Sequence, residues 1–406
     1  MARLLSKDHF RITNGDKILT LNKIAINQEK KGEKVINATV GMLYDENKKL
    51  VECHIINDMS NYLSSEEIRK YGSANGGLDF KESVEKWLFG ETNLGNCFVE
   101  TIATFGATGA LSLSMRNYAN REQEILLPSI RWSNYDSIVS QVGCNIKEYN
   151  LFNSDDTLDL ESIKRSVEYS IEKYQRVYIL INDPCQNPTG YTLSLEEWEN
   201  LLSYLSEKSL TYPIVLLDDI AYLNYSDTSY DKVFELFVKY INDNFMIHVT
   251  FSASKTLSIY GYRGGALIAL SNNKSHLNDF KEVIESSIRG SYSMPNNLTC
   301  KIISKAFENI DIRNKIKSEI EMNRKMLKQR ADLFFDEANM VDLVSYPYLG
   351  GFFVLIPCDD EDTVCQKLIK KNIFVVPMAS GLRISLSSLT LNEIKGLAKQ
   401  IKQALK

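Results

Sequence analysis

Residues 245–265 read FMIHVTFSASKTLSIYGYRGG, an apolar run that ends abruptly in serines, a lysine and an arginine. The run has the length and the β-branched content of a buried strand. Lys255 lies among small hydroxyl residues, and Arg263 follows eight positions later beside glycines. Ligands of α/β sheets bind at the carboxyl ends of the strands, so this stretch predicts a ligand site directly after a buried strand.

Four further apolar runs in the chain have the same character, and segments with helical periodicity separate them. The runs are residues 124–129, 176–183, 212–219 and 264–271, and residues 193–208 are one such helical segment. Alternating strands and helices predict an α/β fold, in which a mostly parallel sheet lies between helices. We expect this large domain to span residues 51–315.

The remainder of the chain predicts a smaller α+β domain. One long helix over residues 317–340 precedes a strand-like segment, an amphipathic segment, a second strand-like segment and a C-terminal helix, at residues 350–356, 363–373, 373–377 and 392–405. We expect residues 316–406 to form this domain together with residues 1–50, which supply an N-terminal arm and part of the domain.

The composition indicates a globular protein with no nucleic-acid or membrane partner. The 406 residues are 44% hydrophobic, and a formal net charge of -5 disfavours binding to nucleic acid or anionic lipid. Seven cysteines without a CxxC pair and four isolated histidines, His9, His54, His248 and His276, predict neither disulfides nor a metal site. Because no apolar run approaches the roughly 20 residues that span a bilayer, and no signal-peptide core is found, we expect a cytoplasmic protein.

Each predicted strand is followed by a polar or aromatic residue. These are Trp132 after the first run, Asn187 after the second, Asp219 at the end of the third with Tyr222 three residues on, and Lys255. Each has an ordinary explanation alone: tryptophan is commonly core, Asn-Pro-Thr-Gly a turn, aspartate a helix cap and lysine a solvated residue. Because the carboxyl ends of parallel strands meet at one edge of the sheet, their convergence favours a shared site.

A second set of residues suits a phosphate group. Gly106, Ala107 and Thr108 open an amphipathic helix, and the free N–H groups and the dipole of a helix N-terminus attract anions. Close packing explains small residues at such a position equally well. The segment around Lys255 offers two hydroxyls and a guanidinium for the same anion, from Ser252, Ser254 and Arg263.

These groups together predict pyridoxal phosphate as the cofactor. A lysine beside Arg263 and removed from water is favoured as a neutral amine, which can form an imine with an aldehyde. Pyridoxal phosphate carries both an aldehyde and a phosphate on a flat ring. Its ring nitrogen requires a buried carboxylate partner, for which Asp219 is the candidate.

From about residue 37 to residue 400, the chain resembles the class I aminotransferases, the aspartate and aromatic branch of the fold type I pyridoxal-phosphate enzymes. The pattern S-x-S-K with an arginine eight residues later matches Ser252 to Lys255 and Arg263. The D-x-x-Y pattern of the family selects Asp219 rather than Asp218, because Tyr222 lies three residues on.

The resemblance assigns cofactor-binding and catalytic roles. It implies that Lys255 binds the cofactor aldehyde and moves the substrate proton, that Asp219 pairs with the ring N–H, and that Tyr222 and Asn187 hydrogen-bond the phenolic oxygen. Trp132 corresponds to the aromatic residue that stacks on the ring. The phosphate is then held by the set Gly106, Ala107, Thr108, Ser252, Ser254 and Arg263.

The resemblance also implies substrate-binding residues. Residues 380–388, SGLRISLSS, resemble the C-terminal segment whose arginine binds the α-carboxylate, which gives Arg383. Residues 36–51 resemble the segment that closes over the substrate, with Gly41 near that carboxylate and Asn187 also near the substrate. Residues 350–356 match the segment that places a phenylalanine over the site, and either Phe352 or Phe353 fits.

Two further matches imply a homodimer with shared active sites. Residues 70–80 resemble the segment whose tyrosine, here Tyr71, reaches the phosphate of the partner subunit. Residues 288–297 resemble the segment whose arginine, here Arg289, reaches the distal carboxylate of a dicarboxylic substrate. Met294 replaces the asparagine of the family pattern, and an exposed arginine at a helix end is the alternative for Arg289.

The resulting hypothesis is an aminotransferase that works in two alternating half-reactions. Aspartate, glutamate or an aromatic amino acid is the expected donor, and a 2-oxo acid such as 2-oxoglutarate is the expected acceptor. A β-lyase of the same fold is the alternative, because the same lysine chemistry serves both reactions. A cofactor-sensing regulator is disfavoured, because fewer than about 40 residues precede the resemblance, too few for a DNA-binding module. Whether Cys185 tunes the site or only packs stays open.

Overall fold

The computed structural model describes residues 17–90 and 92–406, apart from the side chain of Ser60. These residues belong to two compact units. The large unit comprises residues 50–329 and 346–352, and the small unit comprises residues 330–345 and 353–406 with the described residues 17–49. The domain boundaries expected at residues 50 and 315 stay predictions. Residues 1–16, with His9 and the start of the predicted N-terminal arm, lie outside the described residues.

The helices of the described chain are α1 (Lys17–Glu29), α2 (His54–Met59), α3 (Ser65–Arg69), α4 (Leu78–Phe89), α5 (Gly106–Tyr118), α6 (Asn134–Gln141), α7 (Leu160–Tyr174), α8 (Leu195–Ser209), α9 (Asp231–Tyr240), α10 (Ala253–Thr256), α11 (Lys274–Ser291), α12 (Asn297–Glu308), α13 (Ile310–Met340), α14 (Glu361–Ile369), α15 (Leu391–Ile394) and α16 (Leu397–Leu405). The strands are β1 (Ile36–Asn37), β2 (Phe98–Phe105), β3 (Glu124–Pro128), β4 (Asn145–Tyr149), β5 (Val177–Ile181), β6 (Ile214–Asp219), β7 (Phe245–Ser252), β8 (Gly264–Ser271), β9 (Phe353–Ile356), β10 (Ile373–Phe374), β11 (Val376–Met378) and β12 (Gly381–Ser385).

A seven-stranded sheet forms the centre of the large unit, in the order β2-β8-β7-β6-β5-β3-β4. The strands β7, β6, β5, β3 and β4 are parallel to one another, and β8 runs antiparallel to both β7 and β2. The predicted α/β fold with a mostly parallel sheet is therefore confirmed. The sequence did not reveal β2 and β4, which are the two edge strands, because their polar residues break the apolar run that marks a buried strand.

The reversed direction of β8 brings two loops to the same edge of the sheet. β2 runs in the same direction as β7, so its carboxyl end at Phe105 lies beside the amino end of β8, and Phe105 pairs with Gly264. Ser252, at the carboxyl end of β7, pairs with Gly265. The residues that precede β8 and those that follow β2 and β7 therefore meet at one edge.

Helices cover both faces of this sheet. On one face, α5, α6 and α11 pack against alternate strand residues such as Ile125, Leu127 and Leu180. On the other face, α8 begins with a capping box between Ser194 and Glu197 and contacts β6 and β7. Its apolar residues recur at helical spacing, and Trp198, Leu201, Leu202 and Leu205 are all fully buried.

The small unit contains two short sheets. β1 pairs in parallel with β10, and β9, β12 and β11 form an antiparallel sheet with β12 at its centre. The single C-terminal helix predicted over residues 392–405 is wrong in one respect, since two helices, α15 and α16, occupy it. Gly396 adopts a left-handed conformation with φ of 79° between them, and its N–H donates to the Glu337 carboxylate.

A buried arginine holds several segments of the small unit together. The side chain of Arg330 is fully buried, and its Nη2 donates to the Tyr44 carbonyl at 2.7 Å and to Glu46 Oε1 at 2.8 Å. Its Nη1 donates to the carbonyl of Ser387 at 3.1 Å. A guanidinium suits this position because it carries several donors in a fixed plane.

No helix among the described residues is long and apolar enough to cross a membrane.

Replacing Arg330 with methionine should lower the free energy of unfolding by about 3 kcal/mol, because the substitution leaves a carboxylate and buried carbonyls without their donors. The control is Lys164→Met, which removes an ion pair with Glu161 in which the side chains are 35% and 70% exposed. That variant should cost less than about 1 kcal/mol. Denaturant unfolding measures both changes, and equal losses would contradict the role given to Arg330.

Candidate active site

Lys255 lies on α10, directly after β7, with its amine among aromatic rings. Its Nζ lies 4.9 Å from the ring centroid of Tyr260, 5.5 Å from that of Tyr222 and 5.4 Å from that of Phe352. The Tyr225 hydroxyl donates to the Lys255 carbonyl at 3.1 Å, which fixes the backbone of the lysine. Three aromatic rings therefore border the amine, although the lysine as a whole is only half-buried.

The neighbouring Thr256 is fixed in a similar way. Its hydroxyl donates to Asn224 Oδ1 at 2.8 Å. The segment that follows Tyr222 therefore holds both Lys255 and Thr256 in place.

The two phenylalanines that the sequence could not separate have different surroundings. The ring of Phe352 lies 5.2 Å from that of Tyr222 and 4.7 Å from that of Tyr225, in the large unit beside Lys255. The ring of Phe353 lies 4.4 Å from the guanidinium carbon of Arg383, in the small unit. Phe352 is therefore the phenylalanine next to the lysine.

Asp219 is a buried carboxylate with three hydrogen-bond donors. Tyr135 donates its hydroxyl to Oδ2 at 2.7 Å, Thr250 donates its hydroxyl to Oδ1 at 2.9 Å, and the Ala221 N–H donates to Oδ1 at 3.2 Å. Burial raises the pKa of Asp219, and these three donors oppose that rise by stabilising the ionised form. The negative charge of Asp219 is therefore removed from water but stabilised by hydrogen bonds from the protein.

The loop after β5 is connected to Asp219 by one amide side chain. Asn182 donates its Nδ2 to the Asp219 carbonyl at 2.7 Å, and its Oδ1 accepts from the Asn187 N–H at 2.9 Å. Asn187 is itself buried. This bridge fixes the position of Asn187 relative to the end of β6.

Cys185 packs against nearby residues of its own chain. It is fully buried, its N–H donates to the Thr192 hydroxyl at 3.0 Å, and a side chain added at Gly350 would meet its Sγ at 3.3 Å. Burial raises the pKa of the Cys185 thiol, so the group is a neutral packing element.

A cradle for an anion forms where β2 and α5 meet. Gly106 begins α5 with φ of 65°, and its neighbour Phe105 gives no side-chain cap to the first turn. A Cβ on Gly106 would lie 2.8 Å from Arg263 Nη2, and a Cβ on Gly265 would lie 2.8 Å from the Ala107 nitrogen. Only glycines allow this close approach of backbone and guanidinium.

The remaining candidates for this cradle lie close to it. The Arg263 guanidinium donates to the Tyr260 carbonyl at 2.9 Å and lies 3.5 Å from the hydroxyl of the buried Ser254. Ser252 ends β7 and is also buried. Thr108 is in the first turn of α5. The predicted hydroxyls, guanidinium and helix N-terminus therefore belong to one region.

Trp132 packs against Tyr135 of α6, which in turn hydrogen-bonds Asp219. Its ring packs edge-on against that of Tyr135, with centroids 5.4 Å apart, and Tyr135 is the residue that donates to Asp219. The tryptophan is partly exposed, so one side of it is available to a ligand.

The small unit contains the predicted carboxylate-binding arginine. Arg383 lies in β12 with 2% of its surface exposed, and its Nη2 donates to the Thr39 carbonyl at 2.7 Å. A Cβ at Gly41 would lie 2.5 Å from the ring of Phe353, the ring that packs against the Arg383 guanidinium. Glycine is therefore the only residue that fits at position 41 without displacing this ring.

Tyr71 and Arg289 lie on the surface of the large unit. The Tyr71 side chain is 88% exposed, and the preceding loop is held by Asn297, whose Nδ2 donates to the Lys70 carbonyl at 3.2 Å. The Arg289 Nη1 donates to the Ser293 hydroxyl at 2.8 Å, so the guanidinium binds within its own segment. In the described chain, neither residue contacts Lys255 or Asp219.

Three residues that bind Asp219 or its loop were not found from the sequence. Thr250 carried a usable signal, because the two-residue period of a strand places it on the same face as Ser252. Tyr135 and Asn182 carried none, since their contacts depend on how α6 and the loop after β5 are oriented.

Together these features define a pyridoxal-phosphate site of fold type I. A lysine amine, a buried carboxylate with three donors, an aromatic plate and a glycine-lined cradle beside an arginine match the aldehyde, ring nitrogen, ring face and phosphate of that cofactor. The residues present therefore fit this cofactor.

The chain belongs to the family of class I and II aminotransferases, whose sequence profile matches residues 33–401. It is a pyridoxal-phosphate-dependent aminotransferase. A solved aminotransferase from Anaerococcus prevotii is 29% identical, with a TM-score of 0.94 over 100% of both chains.

Relatives with assigned activities are more distant. The aromatic-amino-acid aminotransferase of Paracoccus denitrificans is 26% identical over 84% of each chain. The aspartate aminotransferase of Haemophilus influenzae is 24% identical over 98% of this chain and 100% of that protein. These similarities favour transamination over the β-lyase alternative.

Replacing Gly106 with alanine should weaken pyridoxal-phosphate binding by about tenfold or more, because the added methyl displaces the Arg263 guanidinium and strains the backbone. Titration of the apoenzyme with the cofactor, followed by absorbance, gives the affinity. Gly143→Ala is the matched control, since Gly143 has φ of 80° and no atom within 4 Å of an added Cβ. Equal affinities in the two variants would exclude Gly106 from the phosphate site.

Proposed function

We propose that this aminotransferase uses aspartate, glutamate or an aromatic amino acid as amino donor, and a 2-oxo acid such as 2-oxoglutarate as acceptor. The observation that supports the reaction is the Lys255 amine, enclosed by aromatic rings at the strand edge that also carries Asp219. The substrate class rests on the relatives, which are named as aspartate and aromatic-amino-acid aminotransferases.

Bound pyridoxal phosphate supplies an aldehyde for the substrate amine and a ring that withdraws electrons from the substrate Cα. The residues around it hold and orient it. Asp219 keeps a proton on the ring nitrogen, and Tyr135 and Thr250 keep the Asp219 carboxylate ionised and correctly oriented. Tyr222 and Asn187 hydrogen-bond the phenolic oxygen of the ring.

Other residues hold the phosphate and the ring face. Ser252, Ser254 and Arg263 donate to the phosphate, together with the amides of the first turn of α5, at Ala107 and Thr108. Trp132 packs against the ring. These contacts would hold the cofactor in place throughout the reaction.

Lys255 is the proton carrier in this proposal. Its Nζ would remove the proton from the substrate Cα and carry it, and the bound cofactor would supply the electron-withdrawing ring that makes this proton removable. The rings of Tyr222, Tyr260 and Phe352 border this amine and limit the directions in which it can reach.

Arg383 binds the α-carboxylate that all of these substrates share. Its guanidinium is oriented by the Thr39 carbonyl and by the ring of Phe353, so its donors are held in a fixed plane. A planar pair of donors suits a carboxylate better than the single point charge of a lysine.

We also propose a homodimer in which each subunit completes the site of the other. Tyr71, which is 88% exposed, then reaches the phosphate of the partner subunit, and Arg289 binds the distal carboxylate of a dicarboxylic substrate. The chain has a mass of 46.3 kDa, and sedimentation as a single species of that mass would contradict the shared site.

Addition of an amino acid to the holoenzyme, without any 2-oxo acid, should change the visible absorbance of the cofactor and release one equivalent of the matching 2-oxo acid. Lys255→Ala should abolish both signals, because it removes the proton carrier. Lys147→Ala, which changes a lysine remote from the site, is the control. If none of the common amino acids changes the absorbance, the proposed function is wrong, and repeated pyruvate release from a β-substituted amino acid would indicate a lyase.

Arg289→Ala should lower kcat/KM for aspartate by about 100-fold, since a charged partner of the distal carboxylate is lost, and should change kcat/KM for phenylalanine by less than about threefold. Arg116→Ala is the matched control, because Arg116 is another arginine that donates to a nearby serine, Ser291, at 3.3 Å. Steady-state kinetics with both donors measures the effect. Unchanged discrimination between the two donors removes Arg289 from substrate recognition.

A further inference from the structure

Two consecutive aspartates at the end of β6 are buried, but they are hydrogen-bonded very differently. Asp218 is 0% exposed and Asp219 is 3% exposed. Asp219 accepts from three donors. Asp218 accepts the Tyr230 hydroxyl on Oδ2 at 2.7 Å and is also stabilised by the backbone N–H of Asp183, but among the described residues its Oδ1 has no hydrogen-bond partner. A buried carboxylate with one oxygen unpartnered is less stable as an anion than one whose oxygens both accept hydrogen bonds.

A third buried carboxyl group, Asp183, lies next to Asp218. Asp183 follows β5, and in the sheet Ile181 of β5 pairs with Asp218 of β6. Asp183 is also 0% exposed, but both of its oxygens accept hydrogen bonds. Its Oδ1 accepts from the Leu193 N–H at 2.7 Å, and its Oδ2 accepts from Trp198 Nε1 at 2.9 Å.

The groups that face this pair supply no positive charge. They are Trp198 and Glu197 on α8, Tyr230 just before α9, and Asp219 on β6. In the part of the chain that the structure describes, neither Asp183 nor Asp218 forms an ion pair with lysine or arginine. Burial, with a smaller repulsion from Glu197, raises the pKa of Asp183 to about 7. Burial and repulsion from Asp183 raise the pKa of Asp218 well above its ordinary value. Two adjacent anions cannot both persist here, so the pair holds a proton.

We propose that Asp218 holds this proton as a neutral carboxylic acid, that Asp183 is the carboxylate, and that the pair positions the Asn187 loop beside Asp219. The donors decide the assignment. Asp183 has a donor on each oxygen, as an anion requires, whereas among the described residues no hydrogen bond reaches Oδ1 of Asp218, so that oxygen is the one that carries the proton. The inference rests on the proposed roles of Asp219 and Asn187.

The pair acts on the active site through the loop that follows β5. Asp183 lies near the start of this loop, and its carboxylate binds the N–H of Leu193 near the loop's end, so the segment that contains Asn187 is closed on itself. Asn182, one residue earlier, joins the same loop to the Asp219 carbonyl. A neutral Asp218 also leaves Asp219 as the one negative charge of this aspartate pair on the strand.

Two isosteric variants distinguish which aspartate carries the proton. Asp218→Asn imitates the neutral acid. The cofactor affinity and kcat should therefore stay within about twofold of the wild-type values, and the midpoint pH of the cofactor absorbance within about 0.3 units. Asp183→Asn turns an amide NH₂ towards the Leu193 N–H or the Trp198 Nε1–H. It should therefore lower kcat by about tenfold or more, with little change in KM.

The opposite pattern overturns the assignment. A benign Asp183→Asn, or a shift of about half a unit or more in the absorbance midpoint of Asp218→Asn, shows that Asp218 is ionised in the wild type. If Asp183→Asn does not fold, the Asp218→Asn result and the infrared measurement below decide the question.

The protonated carboxyl can be observed without any turnover. Infrared spectra of the holoenzyme should show the carbonyl stretch of a buried carboxylic acid, and Asp218→Asn should remove it. A band that persists in this variant contradicts the proposal, whatever the activity. Because the readout does not involve substrate, it separates failure of this inference from failure of the proposed function.

The pH dependence of stability is a second readout. A carboxyl whose pKa is higher in the folded than in the unfolded state contributes stability that is complete below the unfolded pKa and is lost as pH rises through the folded pKa. The Tm of the wild type should therefore fall as the pH rises above about 4, the ordinary pKa of an aspartate in an unfolded chain, and this fall should be smaller in Asp218→Asn. Parallel Tm profiles for the two proteins would show that Asp218 binds no proton on folding.

Discussion

The site depends on keeping one carboxylate charged in a place that water does not reach. Asp219 ends a buried strand, where desolvation favours the neutral acid. Its charge is maintained by donors from three separate parts of the chain: the Tyr135 hydroxyl on α6, the Thr250 hydroxyl on β7, and the backbone beyond β6. Because each donor must lie within hydrogen-bond distance of the carboxylate, stabilising this one charge fixes the positions of α6, β6 and β7 relative to one another.

The antiparallel direction of β8 determines where the anion site can form. An anion site that uses both the N-terminus of α5 and Arg263 needs the end of β2 and the beginning of β8 at one edge, and an antiparallel pair provides this. Gly106 and Gly265 then allow the backbones to approach more closely than any side chain permits. The glycines near the arginine are therefore required by packing between strands as well as by the space that a ligand needs.

The strands that the sequence predicted are those that are buried along nearly their whole length. Inner strands such as β5 and β6 are buried throughout, and their apolar runs identify them. The edge strands β2 and β4 begin with exposed or half-buried residues, so they lack such a run and were missed. Lys255, Asp219 and Arg383 were singled out because of fixed spacings in the sequence, and their roles remain proposals. Tyr135 and Asn182 could not be assigned to Asp219, because their contacts follow from the orientation of α6 and of the loop after β5, whereas the two-residue period of β7 placed Thr250 on the same face as Ser252. The choice between Phe352 and Phe353 likewise required three-dimensional neighbours.

The anchoring of Lys255 limits how its amine can move. The Tyr225 hydroxyl holds the Lys255 carbonyl, and Asn224 holds the side chain of the next residue, Thr256, so the main chain directly after the lysine is fixed. Any travel of the amine must come from rotation about the four methylene bonds of its side chain. In the proposed reaction the lysine is a base on a hydrocarbon arm, whose length sets its reach and whose direction is limited by the surrounding aromatic rings. Such an arm can move aside and return to the same point in each half-reaction without any rearrangement of the sheet.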